Sequence, residues 1–149
     1  MGYCLNALIA PRAILDARVS DIAAARVVLL PQGMSMIPVT DSLYDELGDG
    51  GEVEHFAKLS PGIERWALSL SEAGLVAYVE AEFFGGVGRQ SAIVWGNRSR
   101  VFGPLQATDA IDQALRWLGV SATAASDEFD ALGLGAHRET DEWLADRAV

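Results

Sequence analysis

Two long apolar runs on either side of a glycine-rich link constrain the fold of this chain more than any other feature. Residues 75–84 read LVAYVEAEFF, residues 90–96 read QSAIVWG, and residues 85–88 (GGVG) lie between them. Runs of β-branched and aromatic residues bounded by glycine are typical of antiparallel hairpins, because glycine adopts the positive φ that tight loops need. The sequence therefore predicts a central hairpin with a four-residue loop, extended by residues 99–102 as a third strand.

The pairing predicted for this hairpin divides its side chains between two faces, because successive strand residues point to opposite sides. With a four-residue loop the opposed pairs are Phe84 with Arg89, Glu82 with Ser91, Glu80 with Ile93 and Tyr78 with Trp95. These residues share one face, which carries the polar groups. The other face is the predicted core and bears small or β-branched apolar residues: Ala77, Val79, Ala81, Ala92 and Val94.

The rest of the chain combines a second hairpin signal with several helical ones. Residues 26–30 and 34–40 are apolar runs separated by the turn sequence PQG, which predicts another hairpin. Helices are predicted over residues 13–25, 41–47, 61–73, 109–118 and 139–147, the second capped by Thr40 or Asp41 and the third by Ser60. We therefore expect one globular domain over residues 1–149, of fold class α+β, in which an antiparallel or mixed sheet is built from two hairpin regions and helices pack on it.

The charge balance restricts the classes of partner. The chain has 21 acidic residues against 11 lysines and arginines, so its net charge is -10. Affinity for nucleic acid comes from basic residues that neutralise phosphates, and we therefore expect no nucleic acid and no anionic membrane as a partner. The same negative field attracts a basic protein. Acidic chains are also common among bacterial enzymes that bind nothing basic, so this alternative stays open.

The cysteine and histidine content gives no sign of a metal or cofactor site. Cys4 is the only cysteine, which excludes an internal disulfide and a multi-cysteine metal site. His55 and His137 stand in no recognisable metal or nucleophile motif. The N-terminus lacks a basic region ahead of its apolar residues, and no run of 18 apolar residues occurs, so we expect a cytoplasmic protein. The oligomeric state is left open.

One polar group on the central hairpin is a candidate ligand site: Tyr78, Glu80, Glu82, Arg89 and Gln90. Two carboxylates on one strand face, near a tyrosine and an arginine, can bind a cation or perform acid–base chemistry. The alternative explanation is a solvated strand face, or ion pairs between the glutamates and other arginines. The glycine run does not indicate phosphate binding, because it leads into a strand and not into a helix.

An acidic run without lysine or arginine is the candidate partner-binding surface. We call it the acidic segment, and its members are Asp41, Asp45, Glu46, Asp49, Glu52 and Glu54. Asp141, Glu142 and Asp146 would supplement it if the C-terminal helix packs nearby. The glycines between its charges let the backbone adapt to another surface. The alternative is a face that only keeps the protein soluble.

Three segments resemble a family of small uncharacterised proteins from high-GC bacteria. They are residues 77–96 (AYVEAEFFGGVGRQSAIVWG), 113–120 (QALRWLGV) and 127–144 (DEFDALGLGAHRETDEWL), less than half of the chain. No activity is established for that family, so the resemblance implies no functional residues. In size and acidity the chain is also similar to immunity proteins of bacterial toxin systems, which are often small, acidic, cytoplasmic α+β domains that bind and block a cognate toxin.

These observations together predict a non-catalytic protein-binding module of the immunity-like kind, which engages a basic protein through its acidic segment. The alternative is a small-molecule-binding protein or an enzyme with its site on the polar face of the central hairpin. A deep, partly apolar cleft on that face would favour the alternative. A face that is flat, solvated or packed under a helix would remove the only site on which the alternative rests.

Overall fold

The computed structural model describes residues 2–84 and 87–146, with the backbone alone at positions 87, 145 and 146. The described residues form six strands: β1 (Tyr3–Pro11), β2 (Val28–Leu29), β3 (Met34–Pro38), β4 (Val76–Phe84), β5 (Val87–Gly96) and β6 (Ser99–Gln106). They also form five α-helices: α1 (Arg12–Arg18), α2 (Asp41–Leu47), α3 (Pro61–Leu70), α4 (Ala110–Trp117) and α5 (Glu128–Ala131). The strands make one antiparallel sheet in the order β2-β3-β1-β4-β5-β6. The predicted α+β class is confirmed.

Helices cover both faces of the sheet. The α4 face carries the alanines and valines predicted as core, and α4 and the C-terminal segment pack on it. The opposite face, here called the α3 face, carries the fully buried Tyr78, Ile93 and Trp95, which lie in a second core with residues of α1, α2, α3 and the loop at 53–59. The hairpin face expected to be polar is therefore apolar core over half of its length, and its polar groups are confined to one end of the sheet.

The central hairpin is paired two residues out of the predicted register. The opposed pairs are Phe84 with Val87, Glu82 with Arg89, Glu80 with Ser91 and Tyr78 with Ile93. All four predicted pairs are wrong, because the prediction assigned Val87 and Gly88 to the loop whereas both belong to β5. Residues 85 and 86, the two glycines at the predicted tip, lie outside the described residues. Since a shift of two residues leaves each side chain on its face, the predicted core face is confirmed.

The two helices around the acidic segment begin at the caps that the sequence predicts. The hydroxyl of Thr40 accepts the Leu43 amide at 3.2 Å at the start of α2. The hydroxyl of Ser60 accepts the Ile63 amide at 3.1 Å, and Pro61 is the first residue of α3. Such caps satisfy amides that lack a partner within the helix. The Ser60 cap also fixes the end of the loop between α2 and α3, which carries half of the acidic segment.

Helix α1 is shorter than the predicted span of 13–25. It ends at Arg18 and continues only as a 3-10 turn over Val19–Asp21. The amides of Ala23 and Ala24, which a longer helix would pair with carbonyls one turn earlier, donate instead to the Glu46 carboxylate at 2.9 and 2.8 Å. The Glu46 carboxylate, which is distant in sequence, thus accepts the hydrogen bonds that these amides would donate within a longer helix.

Candidate functional site

Strands β1, β4 and β5 place six polar residues in two adjacent rows at one end of the α3 face. Across the first row lie Cys4, Glu82 and Arg89, and across the second lie Asn6, Glu80 and Ser91. Directly opposed residues of antiparallel strands share a face, so all six side chains point the same way. The third row is the buried core of Leu8, Tyr78 and Ile93. We call the six polar residues the polar end of the sheet.

Glu80 is a buried carboxylate that ties the loop at residues 57–58 to the sheet. It is only 8% exposed. Its Oε1 accepts the Ala57 amide at 2.9 Å, and its Oε2 accepts the Lys58 amide and the Tyr78 hydroxyl, both at 2.7 Å. Burial, and then the charge of Glu80, raises the pKa of Tyr78 well above its ordinary value, so the phenol stays protonated and donates. The carboxylate is committed to structure.

All six polar-end residues, with Ala57 and Ala81, line a cavity of about 20 Å³, which is room for roughly one water molecule. Ser91 is 2% exposed and Asn6 is 9% exposed. Within the described residues, the Ser91 hydroxyl makes no hydrogen bond. Asn6 donates through Nδ2 to Thr140 Oγ1 at 3.2 Å, while its Oδ1 accepts nothing in the same part of the chain. The cavity is therefore lined by polar groups of largely buried residues that have unused hydrogen-bonding capacity.

The Cys4 thiol is not activated as a nucleophile. Burial raises its pKa, and the carboxylates of Glu139 and Glu82 raise it further, against a lowering by the hydrogen bond from Asn6. Asn6 Nδ2 lies 3.6 Å from the sulfur. Because the thiolate is the reactive form, a raised pKa leaves this cysteine as a neutral, half-buried wall of the cavity.

The candidate ligand site of the hairpin divides between the two faces of the sheet. Tyr78, Glu80, Glu82 and Arg89 lie on the α3 face, but the adjacent Gln90 points to the α4 face. There its Oε1 accepts the Ile111 amide at 2.9 Å in the first turn of α4. Gln90 thus supports a helix and is separated from the other four residues. Among the residues that the structure describes, no group of three or more histidine, cysteine, aspartate or glutamate side chains is arranged to hold a metal ion.

The acidic segment lies along α2 and the following loop, and two of its carboxylates are paired with cations from outside it. Asp41 forms an ion pair with Lys58, which lowers the pKa of Asp41. Asp49 lies 2.9 Å from Arg65 of α3. The sequence run contains no lysine or arginine, but the fold brings basic residues to it from the next segment. Its negative charge is therefore partly neutralised.

The remaining carboxylates of the segment differ in their availability. The Glu46 carboxylate accepts the amides of Ala23 and Ala24, which lie between α1 and β2. The Glu54 carboxylate lies 3.1 Å from His55 Nε2. Asp45 and Glu52 are exposed and form no hydrogen bond or ion pair with any residue that the structure describes. These two carry charge that is free to act on a partner.

The C-terminal 3-10 turn, Thr140–Asp146, brings further carboxylates to the start of α2. Glu139 and Asp141 line a cleft of about 400 Å³ together with Asp41, which we call the acidic cleft. Its other lining residues are Cys4, Asn6, Lys58 and Thr140. Because Cys4 and Asn6 also line the small cavity, the cleft and the cavity are neighbours. Asp141 thus lies near Asp41 of the acidic segment, which is the condition under which it was expected to supplement that segment. The Glu142 carboxylate accepts the amides of Arg138 and Glu139, and the Asp146 side chain lies outside the described residues.

Sequence reasoning missed the residues that connect these features. Asn6 stands alone as a polar residue within the apolar strand run YCLNALIA, which is a signal for a buried polar site. Ser91 follows Gln90 at the start of the run QSAIVW and gives a weaker signal. Lys58, Arg65 and Glu139 gave no such signal, because their role depends on contacts between separate segments.

No protein-family model, curated protein or solved structure matches this chain. Within residues 2–84 and 87–146, no helix has the length and apolar character needed to cross a membrane. Any functional interpretation therefore rests on the sequence and the geometry of the chain itself.

Proposed function

We propose that this chain is a non-catalytic protein-binding module that engages a basic protein through the acidic cleft and the exposed face of α2. The supporting observation is the convergence of Asp41, Glu139 and Asp141 on one cleft. Lys58 pairs with Asp41 there, whereas Glu139 and Asp141 form no ion pair with any described residue, so two like charges of the cleft are left for a cation of a partner. Their summed field attracts a basic partner and accelerates its approach.

The binding surface differs from the acidic segment as read from the sequence. Asp45 and Glu52 contribute negative charge that is not paired within the described residues. Glu46 contributes mainly to the fold, because its carboxylate accepts hydrogen bonds from two backbone amides. An immunity protein, which neutralises a toxin by binding it, is the kind of module that this size, acidity and fold class fit. We place the protein in the cytoplasm, because its lone thiol needs no oxidising compartment.

A charge-reversal experiment tests this proposal. The immobilised wild type is used to capture its partner from a lysate of the source organism. Association with the purified partner is then measured at low and moderate salt. Asp45→Lys with Asp141→Lys should slow association about tenfold at low salt and weaken its salt dependence, because steering depends on local charge. Dissociation should change less.

The matched control reverses two exposed carboxylates elsewhere, Asp16→Lys with Asp130→Lys, which changes the net charge by the same amount. Neither side chain has a hydrogen bond or ion pair within the described residues. The control should associate almost as fast as the wild type. Equal recovery of one specific protein by all three baits, with equal association rates, would contradict a binding role for the cleft and α2.

The alternative of a small-molecule site on the hairpin face has less support. Ligand pockets usually hold roughly 300–1,000 Å³, whereas the cavity at the polar end holds about 20 Å³. The remainder of that face is core beneath α3. Capture of no protein by the wild type, together with a reproducible thermal shift by a small molecule, would favour this alternative over the binding module.

A further inference from the structure

The cavity at the polar end contains more hydrogen-bond acceptors than the chain uses. Ser91 is 2% exposed and its hydroxyl has no partner within the described residues, and the Oδ1 of Asn6 accepts nothing there. Two carboxylate oxygens offer about four acceptor positions, of which Glu80 uses three. Polar groups of largely buried residues normally have partners, so unused capacity on three neighbouring residues of one cavity leaves room for a donor from outside the chain.

The charge of this cavity also favours a cation. The Glu80 carboxylate accepts hydrogen bonds from two backbone amides and from the Tyr78 phenol, and it forms no ion pair with any described residue. A buried carboxylate without a counter-charge is costly. Arg89 also lines the cavity, but it is exposed and lies opposite Glu82 on the outer row, and it forms no ion pair with Glu80 or with any other described residue. The Glu80 carboxylate therefore has no ion-pair partner in the part of the chain that the structure describes.

The size of the cavity selects the kind of cation. A volume of about 20 Å³ admits one group of the size of water, which a compact ammonium matches and a planar guanidinium exceeds. A primary ammonium has three N–H donors and no acceptor. Ser91 Oγ, Asn6 Oδ1 and the free position of Glu80 supply three acceptors to match them.

We infer that this cavity binds a primary ammonium group, supplied by a lysine side chain of the protein partner. The assignment to a partner's lysine rests on the proposed function. Glu82 and Arg89 are exposed, so the cavity opens to the surface between them. The neighbouring acidic cleft, with Glu139 and Asp141 on its wall, guides a basic side chain toward this opening.

Methylammonium chloride is the probe that tests the ammonium chemistry. In a titration of the ¹⁵N-labelled chain, the backbone amide signals of Asn6, Ala57, Lys58 and Ser91 should shift and saturate. Tetramethylammonium at the same concentration has the same charge but no N–H donor and should leave these signals unsaturated. An absence of saturation with methylammonium, or equal shifts with both ions, overturns the inference.

Two serine variants test the role of the unused hydroxyl. Ser91→Ala should weaken methylammonium binding about tenfold, because a hydrogen bond to a charged group is lost. Ser35→Ala is the matched control, since Ser35 is fully buried and its hydroxyl also has no partner, but it does not line the cavity. Equal affinities of the two variants overturn the assignment of Ser91.

A last titration identifies the source of the ammonium. Nα-acetyl-lysine methylamide should shift the same amides as methylammonium. Binding of methylammonium alone would overturn the lysine assignment. None of these titrations contains the partner protein, so their failure is distinguishable from failure of the proposed function. If a partner is captured in a charge-dependent way but no ammonium binds, the proposed function stands and only the ammonium site is excluded.

Discussion

Replacement of Glu80 by glutamine tests whether the buried carboxylate fastens the 57–58 loop to the sheet. Each carboxylate oxygen accepts at least one backbone amide. Glutamine has a single acceptor oxygen, so in either orientation its NH₂ group faces an N–H donor. A lost hydrogen bond to a charged group costs about 1.5–3 kcal/mol, and relief from burying a charge offsets part of that cost. We expect the free energy of unfolding to fall by about 2 kcal/mol.

Urea denaturation at neutral pH measures this change, and Glu82→Gln is the control. Glu82 stands two residues later on the same face of β4, but it is exposed, so its replacement should change stability by less than about 1 kcal/mol. Amide hydrogen exchange at Ala57 and Lys58 should accelerate in the Glu80 variant alone. Equal urea midpoints for both variants would refute the structural role of Glu80 and leave its carboxylate available for chemistry.

Two further variants examine the packing and the electrostatics around α3. Gly62→Ala should destabilise the fold by about 1–3 kcal/mol although alanine favours helix, because the added methyl group would clash with the carbonyl oxygen of Leu47. In Gly135→Ala the methyl group would meet only a ring carbon of Phe129 at 3.9 Å, so this control should be nearly neutral in the same urea melts. Glu64 accepts two hydrogen bonds from Arg100, at 2.7 and 2.8 Å, and this contact lowers the pKa of Glu64. Because its pKa is lowered on folding, ionised Glu64 stabilises the fold at pH values above the ordinary pKa of about 4.3, and this stabilisation is lost as the pH falls through the folded pKa. Glu64→Gln should therefore lose less stability than the wild type below about pH 4.3. Parallel profiles of stability against pH for the two proteins would contradict this.

The sequence predicted those parts of the fold that depend on local chemistry. The caps at Thr40 and Ser60 and the alternation of β4 follow from residues close together in the chain, and they were predicted correctly. The register of the central hairpin was not, since Val87 and Gly88 suit a loop by composition and only pairing with β4 makes them strand. The end of α1 was also missed, because the acceptor that takes its amides, Glu46, comes from α2.

The candidate site was less predictable, because it is assembled from strands that are not consecutive. Glu80 and Ser91 belong to one hairpin, but Asn6 joins them only because β1 inserts next to β4. The charge of the acidic segment was overestimated for a similar reason. A run without lysine or arginine in sequence acquires Lys58 and Arg65 in space, and no local pattern reveals that neutralisation.

These ion pairs affect how the proposed partner would compete for the acidic surface. Exposed ion pairs contribute about 0–1 kcal/mol, so basic groups of a partner can replace Lys58 at Asp41 at little cost. The two hydrogen bonds that Glu46 accepts from backbone amides are part of the fold and do not exchange in this way. A face that only keeps a protein soluble needs its charges spread apart, whereas Asp41, Glu139 and Asp141 converge on a cleft beside a cavity with unused acceptors. This convergence is the reason for proposing a cationic partner for the surface over a solubilising role alone.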